Sequence, residues 1–251
     1  QTITRNPLGS PDLIGFSTGA QTGILVSVLL LPGGMLSASL ASFIGGAAVG
    51  TVTYLVSLRG GFTGLRFILV GIAISSMLIS VNRWLLVRVD DDEGLGALKA
   101  ITGTLGAARW SVVAPTSLAI ALVLALMLPV ARHLRVVALG EHMATVLGSP
   151  TRRVGAVLIL LGTVLVAVVT MAAGPIGFVA LVAPHLARFL TGSPQPPLLV
   201  SGLTGSLLLA GADLLSQLVL ESMPVSVVTN AVGGLYLMVA LTATARGRRS
   251  L

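Results

Sequence analysis

The spacing of the charged residues constrains this chain more than any other feature. Eight long stretches, at 13–31, 35–57, 65–87, 111–130, 154–173, 178–190, 198–215 and 225–244, are almost wholly apolar, and the charges cluster between them. A helix needs about 20 residues to cross a hydrocarbon core, and most of the eight have that length. Within lipid no water pairs with the backbone, so an isolated crossing segment must be helical. The expected fold is therefore all-α: a polytopic helical membrane protein, with 1–251 forming a single transmembrane domain. Composition agrees, since 55% of residues are hydrophobic and only 9% charged, against about 25% charged in a soluble domain. The stretch 178–190 is too short to cross unaided and holds Pro184, His185 and Arg188. Such a segment belongs inside protein or beside a cavity.

Charge also sets the sidedness. The chain carries 14 Arg and one Lys, Lys99. Placing the N-terminal loop and every second loop after it in the cytoplasm gives that side 11 basic residues and the other side 4. The outer side also receives the acidic run Asp90 to Glu93 and Glu221. The positive-inside rule selects this orientation. The basic residues are accounted for as membrane-face residues, and no stacking aromatics interleave with them, so nucleic acid is not an expected partner. There is no cysteine, which excludes disulfides and thiolate metal sites. The chain opens at Gln1 without a Met or a signal-peptide pattern, so one or two earlier membrane segments are expected before it.

Two loops are long enough to act. The outer one, 88–110, is acidic and then reads as a short helix lying on the outer surface. The inner one, 131–153, contains a glycine-bounded amphipathic helix at 139–148, with Leu139, Met143, Val146 and Leu147 on its apolar side. No chemistry of catalysis is evident. A nucleotide-binding P-loop needs a Gly-Lys-[Ser/Thr] ending, and the sole lysine is followed by Ala100. His133, His142 and His185 lack metal-ligand spacing, and no Ser/His/Asp arrangement emerges. The chain reads as a non-enzyme without a metal site or cofactor of its own. Asp213, in Gly-Ala-Asp-Leu-Leu, admits two readings, an intramembrane functional charge or a group pairing locally near the outer end of its helix. Asn230 is a cavity-lining or interhelical hydrogen-bonding residue. The 30 glycines sit mostly inside apolar runs, as in Gly45-Gly46, where small residues let helices pack closely.

Four motifs in order then resemble one family across essentially the whole chain. Gln1-Thr-Ile-Thr-Arg-Asn-Pro-Leu-Gly-Ser-Pro-Asp-Leu-Ile-Gly15, with Ser17-Thr-Gly-Ala20, resembles the signature loop of FecCD-type permeases, the membrane subunits of importers for iron siderophores, heme and cobalamin. Leu139-Gly140-Glu141, with Ala144 and Leu147-Gly148, is similar to their cytoplasmic coupling segment. Ala173-Gly-Pro-Ile-Gly-Phe-Val-Ala-Leu-Val-Ala-Pro-His-Leu-Ala-Arg188 is similar to their longest fingerprint. Ala212-Asp213 and Pro224-Val225 to Gly233 complete the order.

The resemblance implies a ten-helix permease, of which this chain holds the third to tenth helices. It implies a pore between two permease subunits, here a heterodimer of paralogues. Two ATPase subunits, which carry ATP and Mg, lie below, and an extracytoplasmic substrate-binding protein lies above, at the bacterial inner membrane. Leu139, Gly140, Glu141, His142, Ala144, Leu147 and Gly148 would couple to the ATPase, and Asn6, Pro7 and Leu8 would help close the cytoplasmic gate. Gly174, Pro175, Gly177, Phe178, Pro184, His185, Arg188 and Asp213 would belong to the fingerprint and pathway. Gln217 stands where relatives have an Arg that meets the binding protein, and Glu221 is one position from their usual Glu; these two are the expected docking residues. The run from Ile101 to Trp110 resembles ferric-enterobactin-type permeases, so ferric siderophore is the expected cargo, with heme and cobalamin as alternatives. An ion-coupled secondary transporter is the reading from a different class. It would be indifferent to Gly140 and Glu141.

Overall fold

In the computed structural model the described residues are 1–247 except 5, 8, 31–34, 59–62, 89–100, 107, 139–140, 147, 149–150 and 220–222. Every one of the eight apolar stretches is helical. In chain order the helices are α1 (Pro11–Ile14), α2 (Phe16–Leu30), α3 (Met35–Leu58), α4 (Gly64–Arg88), α5 (Trp110–Ala138), α6 (Glu141–Val146), α7 (Thr151–Ala173), α8 (Val179–Thr191), α9 (Leu198–Leu218) and α10 (Val225–Gly247). No strand occurs among the described residues. Five spans are long and apolar enough to cross a membrane: Ser39–Leu58, Gly64–Arg88, Trp110–Leu134, Arg153–Ala173 and Leu198–Leu218.

The chain divides into two compact units. The first comprises 1–102 and 106–175, with α1 to α7; the second comprises 103–105 and 176–251, with α8 to α10. The first unit is held chiefly by α2 against α3, with α7 packed on α3 and α5. The α2–α3 contact is a glycine crossing. A Cβ on Gly19 would lie 2.7 Å from the Gly45 carbonyl oxygen, and one on Gly23 would strike the carbonyl of Ala41. Gly19 and Gly23 are four apart, so both lie on one face of α2, and their missing side chains let the backbones touch.

Exposure differs from that of a soluble protein, with many large apolar side chains facing outward and several polar ones buried beside the apolar core. Leu118, Leu128, Leu199 and Leu207 are largely exposed, while Ser42, Thr53, Ser57 and Asn82 are buried. Lipid is as apolar as leucine, so large apolar side chains gain nothing by facing inward. Small hydroxyl residues share the interior with Leu25, Phe67 and Leu181, and some of them donate to carbonyls of their own helix, as Ser57 does to Thr53 and Thr163 to Ile159. Trp84 and Trp110 are exposed at the end of α4 and the start of α5, both on the side assigned to the exterior. Amphipathic rings favour that interface, and the Arg88 guanidinium covers the Trp84 ring at 4.9 Å.

Two differences from the sequence reading stand out. The first apolar stretch is not one continuous helix, because the chain breaks at Gly15, whose φ is 96°. And α5 continues to Ala138, so the inner stretch 131–153 begins as helix rather than loop. At about 1.5 Å per residue, 29 residues outrun the hydrocarbon core and carry Arg132 and Arg135 beyond it. The outer short helix expected in 88–110 falls mostly outside the described residues. Within the described part, Ile101 packs on buried Leu25 and its carbonyl accepts a hydrogen bond from Gln21 Nε2 at 3.4 Å.

Candidate functional site

Two elements expected at the cytoplasmic face each lie near the N-terminal end of α7. The segment before α1 is folded on itself: the Asn6 N–H donates to the Gln1 carbonyl at 3.3 Å and the Gly9 N–H to that of Asn6 at 3.0 Å. Asn6 is half-buried and Pro7 exposed; Leu8 lies outside the described residues. This segment rests on the first residues of two helices. A Cβ on Gly64 would collide with the Thr4 backbone, and one on Gly155 would come within 3.6 Å of Ile3 Cγ2. It thus lies across the N-terminal ends of α4 and α7, beside the arginine-bearing stretches that the charge rule puts inside.

The short helix α6 sits directly before α7. Its six residues coincide with the centre of the expected coupling helix. Gly148 follows it with φ at 71°, a left-handed conformation that glycine adopts without strain and that stops a helix. Ala144 is fully buried, whereas Met143 is 59% and Val146 82% exposed. The helix is therefore seated by its alanine, and two of its four expected apolar-side residues face outward. Leu139, Gly140 and Leu147 lie outside the described residues, and for Glu141 and His142 only the backbone is described.

The long fingerprint spans the junction of the units. Gly174, with φ at 73°, ends α7, and buried Pro175 closes the first unit. In the second, Gly177 and Phe178 lead into α8. Phe178 has a φ of 65°, a conformation a bulky residue rarely holds. Its backbone carbonyl accepts from the N–H groups of Leu181 and Val182 at 3.0 and 2.9 Å. Its side chain lies over Gly233 of α10, where a Cβ would overlap the first atoms of the ring. Glycine at 233 is what seats Phe178. The ring borders an apolar recess of about 250 Å³ between α8, α9 and α10, lined also by Val182, Leu208, Ala212 and Val232.

Pro184 interrupts α8 by removing one donor. Thr204 of α9 donates to the adjacent Ala183 carbonyl at 3.1 Å, tying the two helices at the interruption. His185 stacks on Tyr236 of α10 with ring centroids 6.0 Å apart, and its buried Nδ1 has no hydrogen-bond partner. Arg188 is exposed in the last turn of α8, where a cation complements the helix dipole.

Asp213 accepts a hydrogen bond from Gln217 Nε2 at 2.8 Å, one turn further along α9. This hydrogen bond is a local pairing of the kind that one of its two readings expects. Asn230 is exposed. Glu221 lies outside the described residues. Among the described residues no three of His, Asp or Glu gather as metal ligands.

The structure adds residues the sequence did not single out. Asn82, 6% exposed, accepts from Thr22 Oγ1 at 2.7 Å and donates to the Thr18 carbonyl at 3.3 Å, fastening α4 to α2. A lone amide within an apolar run was the available signal. Gly15 and Ser75 form a second such place, and the four-residue spacing of Gly19 and Gly23 marked the helix crossing.

Comparison with known proteins places this geometry. Residues 1–243 match the FecCD transport family. The chain is 37% identical over 248 residues to the ferric enterobactin transport system permease protein FepG of Escherichia coli (strain K12), covering 98% of this chain and 75% of that protein. It is 32% identical over 254 residues to the probable siderophore transport system permease protein YfhA of Bacillus subtilis (strain 168), covering 97% and 74%. A solved structure, an inward-facing conformation of a metal-chelate type ABC transporter, superposes with a TM-score of 0.85 at 24% identity, covering 97% of this chain and 79% of that one. The family match, the long permease relatives and the shared all-helical fold agree, and the chain belongs to the FecCD transport family.

Proposed function

We propose that this chain is one transmembrane permease subunit of an ATP-driven inner-membrane importer, and that it passes a ferric siderophore into the cytoplasm. The observation that carries the cargo is the 37% identity to a ferric enterobactin permease over 98% of the chain. In this reading the chain is not an enzyme and binds no cofactor. ATP and Mg belong to two separate ATPase subunits, because the sequence has no P-loop. A second permease, a paralogue, completes the pore. An extracytoplasmic binding protein delivers the cargo at the face bearing Gln217 and Glu221.

Coupling runs through 139–148. Met143 and Val146 are exposed on α6 and supply an apolar face for an ATPase groove. Buried Ala144 and the contact of α6 with α7 would pass the ATPase's movement to the helices. Asn6, Pro7 and Leu8 form the cytoplasmic gate, while the fingerprint residues Gly174 to Arg188 shape the inner part of the pathway.

The test is uptake of radio-iron as ferric siderophore in cells carrying the full-length gene, compared with a deletion strain and with Glu141→Arg. Membrane expression of both proteins is checked alongside. Wild type should exceed the deletion strain, and Glu141→Arg should fall to the deletion level while inserting normally. Equal uptake by wild type and the deletion strain refutes the iron assignment and directs the assay to heme and cobalamin. Normal uptake by Glu141→Arg refutes the coupling role.

A further inference from the structure

The break at Gly15 carries more than a bend. Gly15 separates α1 from α2 with φ at 96°, a conformation open to glycine and strained for other residues. It is wedged between two helices: a Cβ there would lie 3.0 Å from Ser75 Oγ of α4 and 3.1 Å from Val49 Cγ1 of α3. Three hydroxyl groups attend the break. Thr53 Oγ1, fully buried, donates to the Ile14 carbonyl at 3.2 Å. Thr18 Oγ1 donates to that of Gly15 at 3.0 Å. Across the gap, Ser17 Oγ donates to Asp12 Oδ1 at 2.5 Å, so a side-chain bond to a carboxylate fastens α1 to the first turn of α2.

The odd group is Ser75. It is 8% exposed, and its hydroxyl has no partner although it points at the one place nearby where the helix is interrupted. A buried hydroxyl left unpaired forfeits its hydration without a return. Such a group is out of place in one static arrangement and explicable if a second arrangement satisfies it.

The geometry points to Gly15 as a hinge on which α1 and the chain leading into it swing relative to α2. The Asp12–Ser17 bond latches the state seen here. In the released state Ser75 donates to a backbone carbonyl uncovered at the break, and that bond offsets the loss of the latch. The moving part is the segment that lies on α4 and α7 at Gly64 and Gly155, so the hinge sets whether the gate rests on those helix ends or leaves them. Asp12, Ser17 and Ser75 are positioning residues: they bias the gate without touching cargo. The inference rests on reading the chain as an importer permease.

These 251 residues contain no cysteine, so with any cysteine elsewhere in the importer replaced, a cysteine pair tests the hinge directly in the assembled importer, in inverted membrane vesicles. Ile3→Cys with Gly155→Cys places two thiols where the segment meets α7. The readout is the rate of disulfide formation under a mild oxidant, with and without ATP and vanadate. The parent pair should cross-link readily without nucleotide and several-fold more slowly with it. Ser17→Ala, which removes a hydrogen bond to a carboxylate, should shift the balance toward release by about tenfold and slow cross-linking before nucleotide is added. Ser75→Ala should act oppositely and keep cross-linking fast under ATP. Cross-linking that ignores nucleotide and both substitutions overturns the hinge. So does an oxidised pair that imports cargo at the parent rate. If cross-linking responds as described while wild type imports no ferric siderophore, the hinge stands and the cargo assignment falls.

Discussion

Adjacent glycines in α3 should respond to the same substitution in opposite directions. Gly45 faces the α2 crossing, where an added Cβ would strike the Gly19 carbonyl oxygen and come within 3.0 Å of Gly23 Cα and 3.1 Å of its nitrogen. All three are backbone atoms, so no side chain can rotate away, and the helices must separate. Gly46 points about 100° further round the helix. A Cβ there would lie 3.5 Å from the Phe16 carbonyl oxygen and 3.7 Å from Ala20 Cβ, which is ordinary contact. Overpacking costs about 1–3 kcal/mol, and replacing a helical glycine by alanine returns up to roughly 1 kcal/mol. Gly45→Ala should therefore destabilise by about 1–2 kcal/mol, while Gly46→Ala should be neutral or slightly stabilising. A difference of about 2 kcal/mol is roughly thirtyfold in the unfolding equilibrium. Titrating the purified protein in bicelles with SDS, followed by loss of helical circular dichroism and tryptophan emission, measures it. Equal effects of the two substitutions, or a larger loss at Gly46, would refute the glycine-crossing account of the first unit.

Three further outcomes follow from the same geometry. Gly233→Ala should destabilise the second unit by about 1–3 kcal/mol, because the ring of Phe178 cannot leave Gly233 without moving a backbone already at positive φ; an unchanged SDS midpoint would show that the ring relocates freely. Asn82→Leu should cost about 1 kcal/mol. A double-mutant cycle with Thr22→Val should return a coupling of roughly 0.6 kcal/mol, the scale of interhelical hydrogen bonds in membranes, and a coupling of zero would dismiss the α2–α4 clamp. Met143→Glu on α6 removes no buried contact, so insertion and stability should match wild type while siderophore uptake drops at least about tenfold; retained uptake would count against an apolar docking face there.

Sequence and tertiary structure contributed at different levels, and the division has a physical basis. Class and approximate span positions were legible because lipid imposes a one-dimensional rule: a crossing segment must be long, apolar and helical, and that can be read without knowing its neighbours. The stretch 178–190 could be marked as atypical for the same reason, since its length, Pro184 and Arg188 are local properties. The glycine-bounded helix around 141–146 was legible from its punctuation, Gly140 and Gly148. What could not be read is whatever depends on which helix lies beside which. Gly45 and Gly46 are identical letters that meet α2 at different closeness, backbone overlap at one and ordinary contact at the other, and only the packing of α2 on α3 tells them apart. The partner that Asp213 takes, Gln217, shows only in the folded helix. The Gly15 break looked like one uninterrupted apolar stretch, because a positive φ leaves no mark on composition, and its meaning comes from Thr53 and Ser75, which arrive from other helices. In a membrane the hydrophobic pattern says where each helix is. It cannot say how helices face one another, because lipid and interior are equally apolar, and that choice is made by small residues, hydroxyl groups and single amides that only meet in the folded chain.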